Sequence, residues 1–133
     1  MTMKKMSFVG FLLVAMAGAH AGELVLIANP AVGALTKEQV ADVFLGKSQT
    51  LTPIDQPEGS PIYADFYKKA TGRDVAQVKS TWSRVVFTGK GQPPKQMPDS
   101  VAVRKAVAAD PKGVGYVDKM SVDGSVKTLY AIE

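Results

Sequence analysis

No cysteine occurs in the 133 residues, and the single histidine, His20, lies in a segment that reads as an export signal. A positive start at Lys4 and Lys5, an apolar run from Phe8 to Ala17 and small residues at Ala19 and Ala21 follow the order of a signal cleaved after Ala21. The apolar run is about ten residues, whereas crossing a bilayer takes roughly 20. The expected product, residues 22–133, is a single periplasmic domain without thiol or imidazole. No disulfide frame is available to it, so burial of apolar side chains has to hold the fold.

The same cleavage narrows the chemistry. Thiol and imidazole are the commonest nucleophilic and transition-metal-binding groups, so neither a metal site nor a cofactor is expected. Loss of Lys4 and Lys5 takes the formal charge from +4 to +2, which argues against nucleic acid as a partner.

Local signals then give the order of elements. Glu23 to Ala28 (ELVLIA) reads as a buried strand ended by Asn29-Pro30. Thr36 with Gln39 three positions on is a capping box, and Val40, Val43 and Phe44 continue at helical spacing until Gly46. Gln49 to Asp55 reads as a second strand, and Ser60-Pro61 opens a helix bearing Ile62, Phe66 and Ala70 that stops at Gly72. Asp74 caps a third helix whose stripe of Val75, Val78, Trp82, Val85 and Val86 is expected in the core.

Thr88 to Pro98, with three prolines and two glycines, is expected to lack regular structure. A fourth helix from Ser100 to about Ala109 and strands at Val114–Val117 and Val126–Ile132 complete an α/β domain. Its mixed sheet has about four strands, flanked by about four helices.

Three patterns invite a catalytic or nucleotide-binding reading. Gly46-Lys47-Ser48 resembles the end of a phosphate-binding loop, but Ala41 stands where that motif needs glycine, and the triplet follows a helix instead of a strand. A helix C-cap accounts for it. Gly89-Lys90-Gly91 has no strand before it and Pro93-Pro94 after it, so a turn accounts for it. Lys90 and Lys95 remain as positive charge for a cleft rim. Asp55 and Glu58 are close in sequence on a loop after a strand, where paired carboxylates could serve as acid and base, but a turn or cap role explains them. The chain is not expected to be an enzyme.

The segments LVLIANP (24–30), LTKEQVADVFLGK (35–47), WSRVVFTGKGQPP (82–94) and GVGYV (113–117) resemble the periplasmic phosphate-binding-protein-like superfamily. More narrowly they resemble its short, single-lobe, phosphate-transporter substrate-binding-like subgroup. The resemblance implies one lobe of a periplasmic-binding-protein-like fold at 22–133. It also implies a solute-binding function directed at phosphate or another oxyanion.

The family's anion loop, Arg-x-x-Gly-Ser-Gly-Thr, falls on Gln56 to Ile62, where only Gly59 and Ser60 match. Gln56 replaces a charged bidentate donor, Pro61 lacks an N–H and Ile62 lacks a hydroxyl. The expected ligand site is therefore Gly59 and Ser60 at a helix N-terminus, with Gln56, and with Asn29 and Thr36 nearby. The alternative is a ligand-free module docking on a membrane transporter or sensor through Pro93-Pro94 and Tyr63 or Tyr67. A homodimer that completes a cleft is a third arrangement.

Overall fold

The computed structural model describes residues 23–133, so the proposed signal and its cleavage point lie outside the described residues. Strand β1 (Leu24–Ala28) leads to α1 (Lys37–Phe44), β2 (Thr52–Asp55), α2 (Pro61–Thr71) and α3 (Val75–Phe87). Then come β3 (Lys95–Gln96), α4 (Ser100–Ala109), β4 (Gly113–Asp118), a 3-10 turn at Lys119–Ser121 and β5 (Lys127–Ala131). The strands form one mixed sheet in the order β3-β2-β4-β1-β5. Strand β2 runs parallel to β3 and β4, whereas β1 runs antiparallel to β4 and β5.

The expected α/β class is observed, with five strands in place of about four. The additional strand, β3, lies inside the segment 88–98 expected to lack regular structure. Two residues suffice because β2 supplies a parallel partner, pairing Ile54 with Lys95 and Asp55 with Gln96. Local sequence carries no trace of such a pairing.

All five residues of β1 are buried because both faces of the sheet are covered. Leu24 and Leu26 pack with α1, α2 and α3, while Val25 and Ile27 pack with Val103 and Val107 of α4. The larger core centres on four rings. Phe66 stacks on Tyr116 at 3.8 Å and 2° between planes, and Phe44 meets Phe66 edge-on at 4.8 Å.

Each long helix begins on the residue its sequence announced. Thr36 and Asp74 form capping boxes with Gln39 and Gln77, and Ser60 accepts from the Tyr63 N–H with Pro61 at the first helical position. Gly72 ends α2 at φ 75°, a conformation glycine adopts without strain. One part of the expected α3 stripe is corrected: Val86 is 41% exposed, and Thr81 is buried in its place. Tyr63 and Tyr67, expected as docking surface, are 4% and 0% exposed. Their rings fill the core between α2 and β2.

Candidate functional site

Five residues were expected to form one site, and the fold brings three of them together. Gln56, Gly59 and Ser60 lie on the segment joining the C-terminal end of β2 to α2. Asn29 follows β1, which runs opposite to β4 and hence to β2, so it stands at the other end of the sheet. There its side-chain N–H groups reach the carbonyls of Val107 and Ala108 at 3.2 and 3.0 Å, and its Oδ1 accepts from the Ala31 N–H. Asn29 ties down the last turn of α4.

Thr36 is equally remote. Its neighbour Lys37 shares a shallow pocket with Lys69 and Ala70 at the far end of α2. Lys69 and Ala70 stand late in α2 (Pro61–Thr71), and at about 1.5 Å of rise per residue that is roughly 14 to 15 Å from Ser60. The expected proximity of Asn29 and Thr36 to the loop is thus corrected. Proximity along a βα unit does not survive when the first strand is antiparallel to its neighbour.

Within the loop, most polar groups are engaged. Gln56 is 2% exposed. Its Nε2 donates to Ser100 Oγ at 3.1 Å and to the Tyr116 carbonyl at 3.0 Å, and its backbone N–H reaches the Tyr116 hydroxyl. Ser60 Oγ donates to the Pro57 carbonyl and accepts from the Tyr63 N–H. The Ser60 N–H bonds to the Pro57 carbonyl, and the Glu58 N–H to Gln96 Oε1. Pro61 has no N–H. The loop's remaining backbone donors are Gly59 and Ile62, both at the positive end of α2.

Asp55, read from the sequence as a turn or cap residue, has a different role. It is 2% exposed, and its carboxylate accepts from the Tyr116 hydroxyl at 2.6 Å and the Tyr67 hydroxyl at 2.8 Å. Burial pushes its pKa from 3.8 up to about 7, against the opposing pull of the two tyrosine hydrogen bonds. Burial beside this carboxylate in turn holds Tyr67 and Tyr116 far above the ordinary tyrosine range, so both remain donors. A carboxylate ending a strand after a buried Ile54 was the available signal, since its side chain had to turn toward the helices.

Asp55 also lies at the edge of a cleft of about 490 Å³ walled by Tyr63, Trp82, Phe87, Pro93 and Pro94. Lys79 and Glu58 form an exposed ion pair, 2.9 Å apart, among its lining residues. Phe87 is 90% exposed. This wall is apolar and aromatic, and it offers an oxyanion little. Pro93 and Pro94, expected as contact surface, do line it.

Among the described residues, no group of three or more His, Cys, Asp or Glu side chains is arranged to hold a metal ion. No described helix is long and apolar enough to cross a membrane.

No protein-family model and no curated protein sequence matches the chain. Solved structures do. An ABC-type phosphate transport receptor from Vibrio cholerae superposes with a TM-score of 0.61 at 18% identity, over 81% of this chain and 45% of the receptor. A candidate phosphate ABC transporter substrate-binding protein from Clostridium perfringens, with bound phosphate, gives 0.62 at 17% identity over 81% and 44%. PstS from Borrelia burgdorferi gives 0.57 at 15% identity over 82% and 47%. The chain therefore spans less than half the length of these proteins, and its fold is that of about one half of a phosphate-transport receptor.

Proposed function

We propose that the protein is an exported, non-enzymatic, solute-receptor-like lobe that recognises a small oxyanion at the start of α2. The observation that carries this reading is the fold, shared with phosphate-transport receptors; the sequence resemblance maps the family's anion motif onto Gln56–Ile62, which lies at a strand-to-helix junction. The Gly59 and Ile62 N–H groups are the donors, and the α2 terminus adds a partial positive charge.

Affinity there is low. Each charge-assisted hydrogen bond lost from the family pattern costs about 1.5 to 3 kcal/mol, so the missing arginine, amide and hydroxyl together weaken binding by on the order of thousands-fold. Calorimetric titration with phosphate and sulfate tests the reading: a saturable signal at millimolar anion supports it, and no heat at that concentration rejects it.

A second reading rests on the aromatic cleft. Phe87 and Val86 are exposed beside Pro93, a surface suited to docking on a membrane transporter or sensor without any solute. Site-directed crosslinking from position 87 in envelope preparations tests it. Products containing one transporter or sensor support it; crosslinks only between copies of this chain support the homodimer instead.

A further inference from the structure

The two Gly-Lys motifs that sequence topology explains as turns meet in space. Lys47, from Gly46-Lys47-Ser48, and Lys90, from Gly89-Lys90-Gly91, line one cleft of about 490 Å³ together with Arg73 and Arg84. We propose that this basic cleft is a second binding site, specific for anions carrying several phosphate charges on adjacent groups. It is distinct from the α2 loop and rests on its own observations.

The cleft lies against α3, on a different side from the aromatic wall. Thr81, Arg84, Val85 and Thr88 face it, whereas Trp82, Ser83, Val86 and Phe87 face the other cleft. No carboxylate lines it. None of its four cations pairs with a described carboxylate, although Lys69, Lys79, Arg104 and Lys119 all do.

The simplest competing explanation is that these cations only complement helix ends. Lys47 follows the end of α1, Arg73 follows the Gly72 cap of α2, and Arg84 and Lys90 flank the end of α3. Each helix C-terminus supplies about half a negative charge, so the three together offset roughly one and a half of the four cations. About two and a half positive charges remain in one concavity. Such an arrangement costs stability through like-charge repulsion unless an anion relieves it.

Local structure holds the cations in place. Arg73 Nη1 donates to Thr81 Oγ1 at 3.0 Å, which orients its guanidinium from the α2–α3 turn while leaving further N–H donors. Gly46 sits at φ 80° with the Trp82 ring 3.0 Å from where a Cβ would stand, so the chain turns tightly there and carries Lys47 to the rim. Backbone bonds from Lys47 N to the Asp42 carbonyl and from Lys90 N to the Val85 carbonyl fix both lysines at helix ends. Two guanidinium forks and two ammonium groups match clustered phosphates better than a single one, because one phosphate carries only about two negative charges at neutral pH against four cations.

Clustered phosphates reach such a cleft from two sources: a soluble polyphosphate, or the headgroups of an anionic lipid surface. The test titrates the protein with tripolyphosphate and with orthophosphate, and separately measures co-sedimentation with phosphatidylglycerol vesicles. A paired variant, Arg84→Gln with Lys90→Gln, alters only exposed side chains, so folding is retained. A second pair, Lys105→Gln with Lys112→Gln, removes equal charge near α4 on the opposite face of the sheet.

Tripolyphosphate is expected to bind more tightly than orthophosphate. Loss of Arg84 and Lys90 is expected to weaken it by about tenfold or more, while the Lys105 and Lys112 pair changes it less than about twofold. Vesicle binding that is sensitive to the first pair and not the second, without tripolyphosphate binding, assigns the site to a lipid surface. Equal loss in both variant pairs, or no binding of either probe, overturns the proposal. Anion binding at Gly59 would be unchanged by loss of Arg84 and Lys90, which do not touch the α2 loop, so the variant pair tells the two sites apart.

Discussion

Replacing Asp55 by asparagine should change how stability depends on pH more than it changes stability itself. The carboxyl titrates at about 7 in the folded protein against an ordinary 3.8, so folding takes up a proton between those values. Stability from this group is fully present below about pH 3.8 and is lost as pH rises through 7. Each pH unit in that window is worth about 1.4 kcal/mol, which amounts to roughly 4 kcal/mol over the whole window and about 2 kcal/mol between pH 5.5 and pH 8. Asparagine has nearly the same shape, and its amide can accept from one tyrosine hydroxyl and donate to the other. Urea unfolding followed by the fluorescence of Trp82, the only tryptophan, reports both proteins directly. The wild type should lose about 2 kcal/mol more than Asp55→Asn between pH 5.5 and pH 8. Equal pH dependence in the two proteins refutes the placement of Asp55 as a buried, proton-binding group.

Gln56→Arg restores the family's charged residue, but Gln56 is buried and its amide bridges Ser100 and Tyr116. The variant should lose about 2 to 4 kcal/mol in urea unfolding and show no tighter phosphate binding by calorimetry. Gly115→Ala would set a Cβ 2.7 Å from Val103 Cγ1, pushing α4 off the sheet, so it should cost about 1 to 3 kcal/mol by the same assay. Thr36→Ala removes the α1 cap and should cost about 1 kcal/mol while leaving anion titrations unchanged, since Thr36 stands far from the loop.

The helices were legible because their starts are local chemistry. Ser60-Pro61, Thr36 with Gln39, and Asp74 each act within one turn, and each cap forms where it was read. Strand β3 was not legible, since Lys95 and Gln96 are extended only through pairing with Ile54 and Asp55, some 40 residues earlier. The same limit governed the site. Gln56, Gly59 and Ser60 are neighbours in sequence and remain so in space, whereas Asn29 was displaced by the antiparallel direction of β1, which no local pattern encodes. The role of Asp55 is hidden from local sequence for a related reason: its tyrosine partners come from α2 and β4. Burial by distant elements turned an apparent loop carboxylate into a core one.

A small oxyanion held at the start of α2 would sit against the Gly59 and Ile62 amides. The most direct measurement is the change in backbone amide chemical shifts as phosphate is added. Saturable shifts are expected at Gly59 and Ile62, with Asn29 and Thr36 unmoved at the same phosphate concentrations. Unchanged Gly59 and Ile62 amides at saturating millimolar phosphate would contradict it.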